Sequence, residues 1–404
     1  MKRIIALALA LVMALSMAAC AANEEPPTEP TRDLTKLEEI YRRESYTADD
    51  KTVAAAREEI VGFAGEGELT NGMLQIFYWM DVYNFLSDNG SYLALYGMDL
   101  EKPLDKQSCI NTDGTWQHYF LKSALDAWHC YHALALEAGA AGIAMDEDLK
   151  KDLDGLKELL EKRAKEEGFA DADALMQADA GAGCTFQDYY DYTKLYYMAF
   201  SYFNYRNDQL EVTDAMIEQY FNKYQSELSK QGIKKDGAMN HSVRHVLVKV
   251  AGGTKDDKGN TTYSDADWEK CRDAAQKLLN DWLAGEHTEE TFIAMAEKHS
   301  EDPGSKSEGG LYEGLNEETN FVKEFKEWYL DESRKVGDYG LIKTDYGYHI
   351  MYYSGTEEQW ITACRQGVMD EQSAKIVAEA TEKHTAMVKY DKLLLGEVNL
   401  AGDK

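Results

Sequence analysis

Proline is scarce in this sequence: five residues among 404. Few helix breakers, set among long polar–apolar runs, leave room for long helices. Cysteine is sparse too. No Cys-x-x-Cys pair occurs, which argues against a zinc knuckle and a dithiol redox motif, and no metal is implied. Cys109, Cys130, Cys184, Cys271 and Cys364 are odd in number and far apart. They read as mostly buried free thiols; one disulfide would fit, but the spacing names no partners. Positive charge is also in deficit: 43 Lys and Arg face 73 Asp and Glu, a formal net charge of −30. Such a surface repels nucleic acid and anionic headgroups, so neither is expected as a ligand. What the chain does have is length, with 44 % hydrophobic residues. That is ample for a packed core and too much for one compact unit, so two domains are expected.

The start of the chain has a character of its own. Lys2 and Arg3 precede a short apolar stretch, Ile4 to Leu15, followed by Ser16-Met17-Ala18-Ala19 and Cys20. Basic, apolar and small residues in that order read as a secretion signal, too short for a spanning helix that is retained. The cysteine after small residues resembles the bacterial lipobox. By that resemblance residues 1–19 are a signal peptide and Cys20 is lipidated as the first residue of the mature protein. Two or more acyl chains would anchor it stably to the bacterial cell membrane, outside the cytoplasm. Residues 20–33 form a polar, proline-containing tether.

Residues 34–237 are helical in pattern almost throughout and predict the N-terminal part of a helical domain. Thr70–Gly90, Thr112–Gly142, Asp146–Gly168, Thr185–Gln209 and Thr213–Gly232 read as five helices, the fourth dense in tyrosine and phenylalanine. Near residue 238 the texture changes. Val243–Val250 alternates like a strand. Ser264 and Asp267 form a capping-box pattern ahead of a helix over Trp268–Ala284. Shorter helices are expected over Glu289–His299 and Phe321–Leu330, and Gly337–Gly355 reads as two strands about a Tyr-Gly turn. This predicts a compact α+β unit at 238–356. Residues 357–404, helical again over Asp370–Met387, are too few to fold alone. They are expected to pack on the helical domain, which makes the α+β unit an insertion.

Histidine is rare, nine in all, yet His241 and His245 sit together at the first strand and His349 lies in the last. The segments VRHVLVK (243–249), FIAMAEKHSEDPGSKSEGG (292–310), FVKEF (321–325) and VGDYGLIKTDYGYHIMYY (336–353) follow in that order. Together they resemble the parvulin-type peptidyl-prolyl isomerases. The lipobox and the helical flanks resemble, by architecture, the extracytoplasmic foldase lipoproteins. The fold this implies is α+β: an all-helical chaperone-like domain with an inserted parvulin domain of FKBP-like fold.

By residue-wise match, His245 and His349 are the paired histidines at the floor of the parvulin site, on adjacent central strands. Asp302 matches the acidic or thiol position facing the substrate amide, and Ser300 is expected to add a hydroxyl. Phe321 and Phe325, four apart on one helix face, match the apolar wall of the proline pocket, with Leu311 completing it. The sequence departs from the family where the usual Gly-Gly-Asp-Leu-Gly reads GGLYEG and where a Pro-Gly-Gln-Met turn reads EETNF, which bears on pocket shape and substrate preference. No arginine cluster follows His245, so selection for phosphorylated Ser/Thr-Pro is not expected.

The implied activity is cis/trans isomerisation of X–Pro bonds in unfolded or partly folded secreted polypeptides, with no cofactor. The other reading is a non-catalytic holdase whose parvulin unit only binds peptides; a homodimer is left open. A solute-binding lipoprotein would need two lobes of repeated strand–helix units, which the N-terminal half does not offer. His129, Cys130 and His132 lie together on one predicted helix, but a metal site would need further ligands.

Overall fold

The computed structural model describes residues 39–400 apart from 91, 111–113 and 256–260. The expected signal peptide and tether, Cys20 included, lie outside the described residues. Contacts divide the chain into two units: residues up to Glu211 with those from Met369 onward, and Val212–Val368 between them.

The first unit is mainly helical. Its helices are α1 (Asp50–Ala55), α2 (Asn71–Asn89), α3 (Trp116–Ala141), α4 (Glu147–Glu167), α5 (Ala172–Ala180) and α6 (Phe186–Asn207). Their starts follow side-chain caps. Thr70 accepts from Met73 N–H at α2, and Thr115 with His118 forms a capping box at α3. On α4 the buried residues are Leu153, Leu156, Leu160 and Ala164, a single stripe at helical spacing under a charged outer face. The core is aromatic: Tyr46, Tyr78, Trp116, Phe120 and Trp128 are all but fully buried, and Phe77 meets Tyr192 edge to face at 4.7 Å. A hairpin, β1 (Ile60–Ala64) and β2 (Gly67–Thr70), interrupts the helical pattern. The sequence did not announce it.

The second unit begins with α7 (Asp214–Lys223) and α8 (Gln225–Lys230), a break at Tyr224 in what reads as one helix. It continues with β3 (Met239–Lys249), a short ladder of β4 (Thr254–Lys255) and β5 (Thr261–Thr262), then α9 (Asp265–Leu283), α10 (Glu289–His299), β6 (Leu311–Leu315), α11 (Lys323–Tyr329), β7 (Tyr339–Thr344) and β8 (Gly347–Glu358). Ser264 and Asp267 do cap α9 with a capping box. The main sheet has the order β6-β3-β8-β7, and every neighbouring pair is antiparallel. Strand alternation sorts its two faces. Val246, Ile350 and Tyr352 pack with Ala275, Trp282 and Phe292 of α9 and α10. Val243, Met351 and Tyr353 pack with Phe325, Trp328 and Tyr329 of α11. The unit starts earlier and ends later than the expected 238–356, because Ile217, Phe221 and Leu228 share a cluster with Trp360 and Cys364.

Helix α12 (Gln359–Lys383) follows, and its later residues Ile376 and Ala380 belong to the core of the first unit. Strand β9 (Ala386–Val388) pairs with β1. The end of the described chain is tied down by amide side chains of α2. Asn71 donates to Lys392 C=O and accepts from Leu394 N–H, and Gln75 accepts from Gly396 N–H. Cys130, Cys184, Cys271 and Cys364 are free thiols.

Candidate functional site

The site grows from the pairing of β3 with β8. Leu247 lies opposite His349 and His245 opposite Met351. Directly opposed residues of an antiparallel pair share a face, so both histidines project toward α11. Their rings are nearly parallel, with centroids 5.2 Å apart, and Nδ1 lies 3.0 Å from Nδ1. Both are buried. Phe325 presents its ring edgewise to both, at 5.3 Å from His245 and 5.6 Å from His349.

A chain of hydrogen bonds runs through the pair. His245 Nε2 is 2.9 Å from Asp302 Oδ2, and His349 Nε2 is 2.8 Å from Thr344 Oγ1. An ionised carboxylate only accepts, which assigns the remaining protons for neutral rings. His245 donates from Nε2 to Asp302 and accepts at Nδ1 from His349. His349 then accepts at Nε2 from Thr344, which itself accepts from Tyr346 N–H at 3.2 Å. Burial, reinforced by the neighbouring His245, pushes His349 down to about 3, so it stays neutral. The Asp302 carboxyl moves the opposite way. The hydrogen bond from His245 outweighs partial burial, and Ser305 and Tyr312 add to it, so the group is held well below the usual carboxylate range.

Asp302 occupies the turn after α10. Its Oδ2 also accepts from Ser305 O–H at 2.6 Å and from Tyr312 O–H at 3.0 Å. Above this polar floor stand the rings of Phe321 and Phe325, stacked at 4.8 Å, with Tyr312 edge-on to Phe321 at 4.9 Å. Thus His245, His349, Asp302, Phe321 and Phe325 come together in one cluster on the α11 face of the sheet.

Two expected residues lie elsewhere. Ser300 is buried and its hydroxyl is occupied by backbone, accepting from Leu247 N–H at 3.2 Å and Asp302 N–H at 3.3 Å. It shapes the turn, and Ser305 supplies the hydroxyl at the carboxylate. Leu311 pairs with Arg244, whose side chain bonds Glu289 of α10, so Leu311 belongs to the other face of the sheet. Tyr312, opposite Val243, takes the position on the histidine face. Ser305, Thr344 and Tyr312 were not singled out in the sequence. Each stands beside a motif residue, but a hydroxyl near a turn or strand end carries no periodic signal.

Other histidines are engaged elsewhere: His118 Nε2 donates to Arg43 C=O at 2.7 Å. His129 Nε2 donates to His384 C=O at 2.7 Å, and among the described residues no three His, Cys, Asp or Glu are grouped to hold a metal ion.

Residues 226–356 match the family described as the PPIC-type PPIASE domain, so the α+β unit carries a parvulin-type domain. The chain is 34 % identical over 106 residues to the foldase protein PrsA of Geobacillus kaustophilus, and 41 % identical over 70 residues to foldase protein PrsA 3 of Bacillus cereus. Those stretches are 26 % and 17 % of this chain and 36 % and 24 % of the relatives, so the chain spans about a third or less of their length. Among solved structures, PrsA from Bacillus subtilis aligns over 70 % of this chain and 91 % of its own, at 18 % identity and a TM-score of 0.36.

Proposed function

We propose that this chain, with its parvulin-type domain, is a peptidyl-prolyl cis/trans isomerase and foldase that acts on polypeptides outside the cytoplasmic membrane. The observation that carries this reading is the continuous chain Thr344–His349–His245–Asp302 beneath the Phe321–Phe325 wall. An X–Pro bond turns slowly because amide resonance imposes a barrier of about 18–20 kcal/mol, and no covalent bond has to break. A catalyst must favour the twisted amide over the planar one.

The apolar rings suit the pyrrolidine ring and exclude water from one side. In the planar amide the carbonyl oxygen is most negative; on twisting it loses charge to the nitrogen. A fixed anion near that oxygen raises the planar state relative to the twisted one, and Asp302, kept ionised, supplies it. The histidine pair holds the carboxylate in place, His245 directly and His349 through it. Neither a nucleophile nor a cofactor enters such a step.

The test is an isomerisation assay on a blocked Ala-Ala-Pro-Phe peptide with the full chain. Wild type is expected to exceed the uncatalysed rate, and His349→Ala and Asp302→Ala to lose about tenfold to a hundredfold in kcat/KM, the scale of one electrostatic contact removed. If all three leave the uncatalysed rate unchanged while a client's aggregation is still suppressed, the chain is a holdase.

The lipobox-like start supports anchoring through Cys20. Cys20→Ala is expected to move the protein from the membrane fraction to the medium; retention in the membrane would refute the anchor.

A further inference from the structure

Tyr312 belongs to two parts of the site at once. Its ring stands 5.4 Å from that of His245 and edge-on to Phe321, so it is part of the apolar wall. Its hydroxyl reaches the carboxylate of the floor. The fold makes room for this. Gly310, at φ +76°, lies so close to β3 that a Cβ would sit 2.3 Å from the His245 carbonyl oxygen, which pins β6 in register and sends Tyr312 to the histidine face. At Gly304 a Cβ would come within 2.8 Å of the Tyr312 hydroxyl. Glycine at that turn leaves the phenol its place.

The two oxygens of Asp302 are treated unequally. Oδ2 takes three donors, from His245, Ser305 and Tyr312. Oδ1 receives the Gly304 N–H at 3.4 Å. A carboxylate oxygen has two lone-pair directions, so Oδ2 is saturated and Oδ1 keeps its capacity. The phenol has no choice of direction: facing an ionised carboxylate, it donates.

We infer that Tyr312 is a positioning residue for the isomerisation: its hydroxyl locks one oxygen of Asp302 so that the other meets the substrate amide, and its tethered ring sets the width of the proline pocket. This rests on the isomerase reading above and adds a residue that the parvulin motifs do not name. The titratable groups facing the carboxyl are His245 from β3 and Tyr312 from β6, with His349 of β8 one ring behind; Ser305 of the turn adds a neutral hydroxyl, and α11 presents Phe325 to the rings. Burial and the adjacent carboxylate push the Tyr312 hydroxyl up, so it remains a donor across neutral pH.

Tyr312→Phe removes the hydroxyl and keeps the ring. In the same peptide assay it is expected to lower kcat about tenfold with KM little changed, the scale of one hydrogen bond to a charged group. The acid limb of the pH–rate profile is expected to move up by about one pH unit. Tyr312→Leu, which also releases the ring, is expected to raise KM as well. In an Asp302→Ala background Tyr312→Phe is expected to cost nothing further, because it acts through that carboxylate. Folding of each variant is checked by near-ultraviolet circular dichroism. A Tyr312→Phe chain with the wild-type kcat and pH profile, or a loss that adds in full to that of Asp302→Ala, overturns the inference alone. A wild type without catalysis overturns the isomerase reading, and a role for Tyr312 in the reaction goes with it.

Discussion

Asp81 in the first unit and Asp302 in the second are both withdrawn carboxyls, and they are driven in opposite directions. Asp81, on α2, is pushed up to about 6 by burial, against a hydrogen bond from Ser123, and its Oδ2 is enclosed with no partner. Asp302 also loses water, but His245, Ser305 and Tyr312 outweigh that loss. The histidines repeat the contrast in a milder form. His132, on α3, is pushed down to about 4 chiefly by burial. His349 is pushed down to about 3 by burial too, yet both its ring nitrogens have partners, and the one at Nδ1, His245, relays to a carboxylate. In the first unit burial disfavours the charged form and little opposes it. In the second a charge is built in and kept. Withdrawal from water is shared; the number of aimed donors separates the two carboxyls.

Substitution should give the two carboxyls opposite signs. Asp302 has a folded pKa below its unfolded one, so its contribution is present above the usual carboxylate range and is lost as pH falls through the folded value. Asp302→Asn is therefore expected to destabilise the α+β unit at pH 7, by about 1.5–3 kcal/mol for lost hydrogen bonds to a charged group, with the gap from wild type narrowing in acid. Asp81 has a folded pKa above its unfolded one. Its favourable contribution is present below pH 3.8 and is lost as pH rises through about 6, so at pH 7 an ionised, buried carboxylate works against folding. Asp81→Asn is expected to stabilise the helical unit by about 2 kcal/mol at pH 7 and to have little effect at pH 4. Urea midpoints across that range check both. Two substitutions with the same sign at pH 7 would break the contrast.

How much of this could be read in advance follows the physics of each signal. His245 was legible because it leads into an alternating run, and His349 because it sits in a similar strand-like segment. Their meeting depends on the β3–β8 register that puts Leu247 opposite His349, which alternation alone does not fix. The long helices were legible through apolar residues at helical spacing, and α9 through the capping box of Ser264 and Asp267. The β1–β2–β9 sheet was not. Its strands have five, four and three residues, and β9 lies more than three hundred positions from β1 along the chain, so no local pattern records the pairing. Ser305 and Thr344 were missed for a related reason. A single hydroxyl in a turn or at a strand end is common, and only the fold shows what it touches.

Leu311 and Tyr312 are the finest case, because one residue of strand parity separates them. The motif match points to Leu311 as pocket wall, but Gly310 pins β6 so that Leu311 pairs with Arg244 on the face of α10 and Tyr312 turns to the histidines. Phe321→Ala, which removes a ring from the cleft, is expected to raise KM for the peptide by about tenfold, as loss of an apolar contact in a binding pocket does. Leu311→Ala is expected to change KM by less than about twofold, since its side chain lies across the sheet from the cleft. A KM for Leu311→Ala as high as that for Phe321→Ala would mean that β6 sits one residue out of this register in solution. Tyr312 would then point away from Asp302, and the set of aimed donors that distinguishes Asp302 from Asp81 would lose one of its three members.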